Sequence, residues 1–293
     1  MELVFGGHGF RLECAGYKIE KDEFIVPFEK EGLTSDASVI SLCQEDMAFL
    51  SSAEVMSKNP VSELLRLPSG RLFLANHWGR LSHAWGFYPD ELNGPSGDLT
   101  VFASPGLSAQ PAVSATRFLS TAGLHGLLLR KKCPIIHASF ISHKGRGIIF
   151  TAPSGMGKST QADLWVRHAG AEIINGDRVL LSKKDGVWHA CGYPCCGSSR
   201  ICLARDVPLA AVVVLSRGAE NRVSPLTLAQ KIRALVSGTE VFPWDRVETD
   251  LAFSLAAELC ADVPVLGLAC TPDGQAVETL RNFLEDEKNG IRF

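Results

Sequence analysis

The sequence lacks three features that would assign the chain to a familiar class at once. No apolar stretch is long enough to cross a bilayer, since runs such as residues 210–215 cover only a few positions. The formal net charge is −3, so no excess of basic residues favours nucleic acid or an anionic membrane surface. The N-terminus has no basic segment followed by an apolar core, which predicts no signal peptide. We therefore expect no nucleic-acid and no membrane partner.

The cysteines also lack the spacing that is typical of a disulfide framework. The nine cysteines are an odd number and are scattered through segments that look like core. In a chain without a signal peptide, this predicts free thiols and a cytoplasmic protein. One group lies close together in sequence, but its spacing fits no common zinc motif and contains no CxxC, so packing residues are favoured over a zinc site. That group is Cys191, Cys195, Cys196 and Cys202.

The first hundred or so residues alternate short β-prone runs with turn residues. Strands are predicted at residues 39–43, 71–75 and 99–103, in a mostly antiparallel sheet. A connector is predicted from Pro105 to Pro111. The chain is thus divided into a β-rich N-terminal domain of residues 1–112, with a possible role in substrate presentation, and a second domain of residues 113–293.

The second region has an α/β pattern. One helix is predicted to begin after a Ser114 cap and to carry apolar residues as far as Leu128. Buried strands and amphipathic helices then alternate. Strands are predicted at 134–141, 147–151, 171–174, 211–215 and 263–270, and helices at 159–168, 226–236, 251–260 and 275–285.

A glycine-rich loop joins a predicted strand to a predicted helix at residues 152–159. These residues match the motif A/G-x4-G-K-S/T. In this position between a strand and a helix, the motif indicates a P-loop, which binds the phosphates of a nucleoside triphosphate. Backbone N–H groups and the helix dipole can converge on phosphate oxygens, while the glycines allow torsions that a Cβ would resist. The predicted phosphate-binding residues are Ser154, Gly155, Met156, Gly157, Lys158, Ser159 and Thr160.

Three side chains of this loop have separate predicted roles. Lys158 can neutralise the β- and γ-phosphates, and the hydroxyl of Ser159 can bind Mg²⁺. Thr160 is placed to contact the α-phosphate. Ala152 stands where the first glycine of the motif is usual, which is the smallest possible substitution.

The loop and its surroundings resemble those of HPr kinases and phosphoenolpyruvate carboxykinases, which share an unusual P-loop fold. His137 lies fifteen positions before Ala152, the offset of the active-site histidine in HPr kinases. Residues 173–178 fall where those kinases carry an Asp-Asp pair at a strand end. Residues 193–199 look like the Pro-Trp-x-Gly segment of small HPr-kinase-like proteins, many of them associated with modified-peptide clusters. The resemblance covers about Ser114 to the C-terminus.

The resemblance implies an HPr kinase C-terminal-like domain with a mixed sheet, using ATP and Mg²⁺. Asp177 matches the second aspartate of the pair and would hold Mg²⁺, directly or through water. The first aspartate, where the catalytic base is expected, is Gly176 here. His137 or Asp177 would then have to orient or deprotonate the acceptor hydroxyl, or the transfer would rely chiefly on positioning and charge stabilisation. The alternatives are a core histidine for His137 and a turn aspartate for Asp177. HPr kinases assemble as oligomers, which implies a homo-oligomer by analogy only.

Further residues are candidates of lower rank. Three arginines could stabilise charge on the transferred phosphoryl group, although each could equally be a surface or structural arginine. Two serines could contact the acceptor or the nucleotide. These residues are Arg178, Arg200, Arg222, Ser198 and Ser199.

Three functions follow from these observations. The first is an ATP-dependent kinase acting on a Ser or Thr hydroxyl of a small protein or precursor peptide. The second is a small-molecule kinase, for example of a free hydroxy amino acid. The third is a catalytically silent, nucleotide-binding module that recognises a peptide, which Gly176 keeps open.

Overall fold

The computed structural model describes residues 1–14, 16–59, 62–76, 85–94, 97–104 and 113–286. The protein is mixed α/β and divides into two compact units, Met1–Leu127 and Leu128–Phe293. The predicted connector Pro105–Pro111 lies outside the described residues, and the boundary after residue 112 stays a prediction. None of the described helices is long and apolar enough to cross a membrane.

The first unit is built on an eight-stranded sheet of order β1-β2-β4-β9-β8-β7-β6-β5. A two-stranded sheet pairs β3 with β10. The strands are β1 Glu2–Phe5, β2 His8–Cys14, β3 Ile19–Glu20, β4 Ser38–Gln44, β5 Glu54–Lys58, β6 Ser62–Arg66, β7 Leu72–Asn76, β8 Trp85–Phe87, β9 Leu99–Ala103 and β10 Val113–Ser114.

Pairing in the large sheet is antiparallel except in one place. β4 pairs in parallel with both β2 and β9. The expectation of a mostly antiparallel sheet therefore holds, with β4 as the exception. The run of β4 alternates buried and half-buried side chains, as one face of a sheet covered by a core requires.

The prediction of a single helix from Ser114 is wrong. Ser114 does cap a helix, because its side chain accepts a hydrogen bond from the amide of Arg117 at 3.3 Å. However, there are two short helices, α1 Ala115–Thr121 and α2 Leu124–Arg130. Between them Gly123 takes a φ of +78°, and a Cβ there would lie 2.5 Å from the Phe87 ring. The apolar spacing continues across this break, which is why periodicity alone missed it.

The second unit centres on a mixed sheet. Its strands are β11 Ile135–His143, β12 Arg146–Thr151, β13 Glu172–Asn175, β14 Arg178–Lys184, β15 Val187–Cys191, β16 Asp206–Arg217, β17 Arg222–Pro225 and β18 Val265–Cys270. The central strands β12, β16 and β18 run in parallel. β11 and β17 flank them antiparallel, and β13 lies beyond β11. β14 and β15 connect the first residues of β11 to the first residues of β16.

Helices cover both faces of this sheet, because its central strands are apolar on both sides. The helices are α3 Lys158–Ala169, α4 Leu228–Gly238, α5 Arg246–Asp262 and α6 Gly274–Glu285. Ile149 of β12 faces a core with α4 and α5. Its neighbour Phe150 faces a core with α3 and α6. All predicted helices and strands of this unit are present, with ends shifted by a few residues, but β14, β15 and β17 were not predicted.

Candidate active site

A tight loop follows β12 and leads directly into α3. Gly155 and Gly157 take φ values of +76° and +98°, in the left-handed region that favours glycine. A Cβ at either position would meet nothing within 4 Å, so the torsion rather than crowding requires glycine. The amide of Met156 donates to the carbonyl of Pro153 at 3.3 Å, which closes the turn.

The N-terminus of α3 is open towards an anion. Gly157 is the N-cap and provides no side-chain hydrogen bond to the first-turn amides. Those amides have no intrahelical acceptor, and the helix dipole adds partial positive charge at the same point. The side chains of Ser154, Ser159 and Thr160 are exposed around it. This is the arrangement that binds phosphate groups at helix N-termini.

Lys158 is held inside the loop. The residue is only 8% exposed, and its Nζ donates to the carbonyl oxygen of Ala152 at 3.1 Å. Burial lowers the pKa of Lys158, while the negative charge of Asp177 opposes that shift. The ammonium and the Asp177 carboxylate therefore act within one electrostatic environment.

His137 and Asp177 lie together beside this loop. His137 is on β11 directly opposite Arg178 of β14, and the amide of Ala138 donates to the carbonyl of Asp177 at 2.9 Å. The Nδ1 of His137 is 3.4 Å from Oδ1 of Asp177. The side chain of His137 is 42% exposed, so it is not a core histidine. Two candidates separated by forty positions in sequence thus meet at one point.

Asn175 shapes the turn that carries Asp177, a role the sequence analysis missed. It is fully buried, and its Oδ1 accepts hydrogen bonds from the amides of Asp177 and Arg178, each at 2.9 Å. Its Nδ2 donates to the carbonyls of Tyr193 at 2.7 Å and Cys195 at 3.1 Å. The signal was present, because asparagine before a Gly-Asp pair commonly hydrogen-bonds the backbone that follows it.

The segment 193–199 lies against the same turn. A Cβ at Gly197 would be 2.6 Å from Cγ of Asp177, so this glycine lets the segment approach the carboxylate closely. A Cβ at Gly176 would collide with the side chain of Ser199. The hydroxyl of Ser199 donates to the carbonyl of Cys196 at 2.6 Å, so this hydrogen bond stabilises the segment 193–199. The space that a side chain at position 176 would need is filled.

The cysteines of this region are buried packing residues. All nine cysteines of the chain are free. Burial raises the pKa of Cys195 to about 12, and also raises the pKa of Cys196. Among the described residues, no three His, Cys, Asp or Glu side chains are grouped closely enough to hold a metal by themselves.

Of the three candidate arginines, Arg178 lies at this site. Its guanidinium is 3.3 Å from Oδ2 of Asp177 and also pairs with Glu240, a residue the sequence analysis did not single out. Burial alone would lower the pKa of Arg178, but Glu240 outweighs it and raises the pKa, so the side chain stays charged. Arg200 follows Ser199 with a φ of +54°. Arg222 is exposed on the flanking strand β17.

Two cavities border the loop. One, of about 610 Å³, is lined by His137, residues 151–154, and the α4 residues Gln230, Arg233 and Ser237. The other, of about 430 Å³, is lined by residues 155–157, Thr160 and Gln161 of the loop and α3, and by residues at the ends of β16 and β18. Both volumes fall within the range of about 300–1,000 Å³ that is typical of small-molecule sites.

The side-chain oxygens near the loop are of the kind that binds Mg²⁺ together with a triphosphate. Magnesium in phosphoryl-transfer sites is bound by one or two protein oxygens, with phosphate oxygens and water completing six ligands. The exposed hydroxyl of Ser159 and the half-buried carboxylate of Asp177 are hard oxygen ligands of this kind.

Comparison with known proteins gives a family. A family model described as "SynChlorMet cassette protein ScmC" matches residues 120–285, more than half of the chain. The chain belongs to this ScmC family. The match begins in α1 and ends at the last residue of α6, so it takes in the whole loop, His137 and Asp177.

Other comparisons add little beyond the ScmC family. No curated protein matches the chain. Among solved structures, the HPr(Ser) kinase/phosphatase from Coxiella burnetii is a distant match with 11% sequence identity and a TM-score of 0.30, covering 53% of this chain and 98% of that one.

Proposed function

We propose that the protein is an ATP- and Mg²⁺-dependent kinase with an HPr kinase-like P-loop domain. One observation supports the proposal above all: the His137–Asp177 pair lies next to the glycine loop and its buried Lys158. A phosphoryl-transfer site needs an anion cradle, a cation at the transferred group and a carboxylate for metal and acceptor. All three chemistries are present here.

Each residue has a definite task in this proposal. Amides of residues 155–158 and the hydroxyl of Thr160 bind the phosphates, and Lys158 leaves the carbonyl of Ala152 to neutralise the β- and γ-phosphates. Ser159 and Asp177 hold Mg²⁺, which neutralises charge on the same phosphates. Asp177 or His137 orients the acceptor hydroxyl and takes its proton.

Arg178 would add positive charge next to the transferred group. Its pairing with both Asp177 and Glu240 fixes the guanidinium, so a fixed cation is available without reorganisation. The cavity beside His137 would receive the acceptor. We propose a Ser or Thr hydroxyl of a small protein or precursor peptide as that acceptor, with residues 1–112 helping to present it.

The test is phosphoryl transfer from γ-labelled ATP with Mg²⁺ to candidate proteins and peptides, with ADP release scored in parallel on hydroxy amino acids. We expect a labelled hydroxyl with wild type and none with Lys158→Ala. Robust nucleotide binding with no transfer to any protein, peptide or metabolite would contradict the kinase proposal. Label appearing only on a metabolite would assign the small-molecule alternative.

One observation favours a second candidate, the catalytically silent module that binds a nucleotide and a peptide. Position 176 not only lacks an aspartate but also has its side-chain space filled by Ser199. In such a module the nucleotide would organise a recognition surface. Peptide capture that requires ATP but survives Asp177→Asn, with no phosphate transferred, would support this function over the kinase.

A further inference from the structure

The smaller cavity extends from the proposed phosphate-binding residues Gly155–Gly157 to the ends of β16 and β18, and this second part has no task in the transfer chemistry. Its wall beyond the loop is formed by Ser216, Arg217 and Gly218 at the end of β16, and by Cys270, Thr271 and Pro272 at the end of β18. Because β12, β16 and β18 are parallel, their carboxyl ends meet at one edge of the sheet, where ligands of open α/β sheets bind.

Gln161 gives this cavity an unsatisfied polar group. The residue lies on α3, is only 2% exposed and lines the cavity. Its Nε2 makes a weak hydrogen bond to Sγ of Cys270 at 3.4 Å, and its Oε1 has no partner within the described part of the chain. Buried amide oxygens in proteins are nearly always hydrogen-bonded, so this carboxamide fits a site that is completed by a ligand.

Arg217 gives the same cavity an uncommitted cation. It is the last residue of β16, it is exposed, and no acidic side chain among the described residues pairs with it. A planar guanidinium in this position can stack on an aromatic ring or donate to ring nitrogens and ribose oxygens.

The direction of a bound triphosphate follows from the loop. Its γ end belongs near Lys158 and Asp177, whose charges interact, and its α end belongs near Thr160. Thr160 lines the smaller cavity, whereas His137 lines the larger one. The group attached to the α-phosphate is therefore directed into the smaller cavity.

We propose that the smaller cavity binds the nucleoside of the nucleotide and that Gln161 selects adenine. This rests on the proposed nucleotide binding. A carboxamide can accept from the exocyclic amino group of adenine and donate to its N7, which is the geometry by which glutamine recognises adenine in nucleic acids. Guanine presents an oxygen in place of that amino group. Arg217 stacks on the base or donates to the ribose.

The experiment compares three ligands with Mg²⁺ by calorimetric titration: ATP, GTP and inorganic tripolyphosphate. Wild type should bind ATP more tightly than GTP. Arg217→Gln should weaken ATP by about tenfold and leave tripolyphosphate unchanged, because tripolyphosphate has no nucleoside. Gln161→Leu should bring the affinities for ATP and GTP together. Arg167→Gln, an exposed arginine of α3 that lines neither cavity, is the matched control and should change nothing.

The outcomes separate the two claims. ATP affinity unchanged in Arg217→Gln, or weakened only by Arg233→Gln in the larger cavity, would overturn the nucleoside site while leaving nucleotide binding intact. Equal weakening of ATP and tripolyphosphate would overturn it as well. No binding of either ligand to wild type would overturn the proposed function and this inference together. If Gln161→Leu fails to fold by thermal unfolding, the exposed Arg217 still decides the result.

Discussion

The two sides of the glycine loop differ in how completely their polar groups are paired. On the β11–β14 side, Asp177 contacts both His137 and Arg178, and Arg178 contacts Glu240. On the β16–β18 side, Arg217 and the Oε1 of Gln161 have no partners in the described structure. A prepaired network keeps charges in place for chemistry, whereas unpaired groups are available to a ligand. Under the proposed function, the paired side would carry the reaction (the reaction side) and the unpaired side would recognise the nucleotide (the recognition side).

Lys158 is common to both sides, and its loss should have the largest effect. In Lys158→Ala, ATP and tripolyphosphate should both bind about 100-fold more weakly, because a charge-assisted contact to phosphate is removed. Transfer should fall at least as far. Calorimetry and the labelling assay measure these effects, with Lys131→Ala as the control. Retained binding of both ligands would break the proposal that the loop holds phosphates.

Asp177 tests the reaction side alone. Asp177→Asn should reduce transfer by about 100-fold and remove the contribution of Mg²⁺ to ATP affinity, since it deletes one carboxylate ligand with little change of shape. ATP affinity without Mg²⁺ should not fall, because the variant also removes a negative charge beside the γ-phosphate. If Asp177→Asn instead weakens ATP equally with and without Mg²⁺, the separation of the two sides is wrong.

The crowding at position 176 can be relieved deliberately. Gly176→Asp should destabilise the protein by about 1–3 kcal/mol, because its side chain must displace Ser199. Gly176→Asp combined with Ser199→Gly should recover much of that loss. Urea denaturation measures the free energies of unfolding, and Ser199→Gly alone is the control. Full stability of the single variant would show that the turn has more room than its packing indicates.

Alkaline pH should lower the free energy of unfolding through the buried thiols of the reaction side. Burial raises the pKa of Cys195 to about 12, so above the ordinary thiol pKa the unfolded chain loses a proton that the folded chain keeps. Below the ordinary thiol pKa the free energy of unfolding is not affected by this thiol. As pH rises from there towards 12, the free energy of unfolding falls by up to about 1.4 kcal/mol per pH unit for each such thiol. Urea denaturation between pH 7 and 10 measures the slope, which should be shallower in Cys195→Ala. An identical slope in that variant would assign the effect to other groups.

Local signals in the sequence were sufficient for the loop and for most elements of the second unit. Strand β12, the glycines and α3 are consecutive, so their chemistry can be inferred without knowing the fold. Pairing between distant segments could not be inferred in this way. The contact of Gly176 with Ser199 and the ion pair of Arg178 with Glu240 depend on how β13, β14 and the segment after β15 come together.

The wrong helix prediction and the parallel exception in the first sheet have the same physical origin. Gly123 interrupts a continuous apolar pattern because Phe87, far away in sequence, occupies the space beside it. β4 pairs in parallel on both sides, although its short alternating pattern is equally compatible with antiparallel neighbours. In both cases tertiary packing decided between options that the local sequence left equal.

Asn175 couples the turn that carries Asp177 to the segment 193–199. One buried carboxamide fastens the Asp177 turn at one end and the carbonyls of Tyr193 and Cys195 at the other. Any displacement of the segment 193–199, for example by a partner pressing on it, is transmitted to the carboxylate through that side chain. The orientation of Asp177 therefore depends on the position of the segment 193–199.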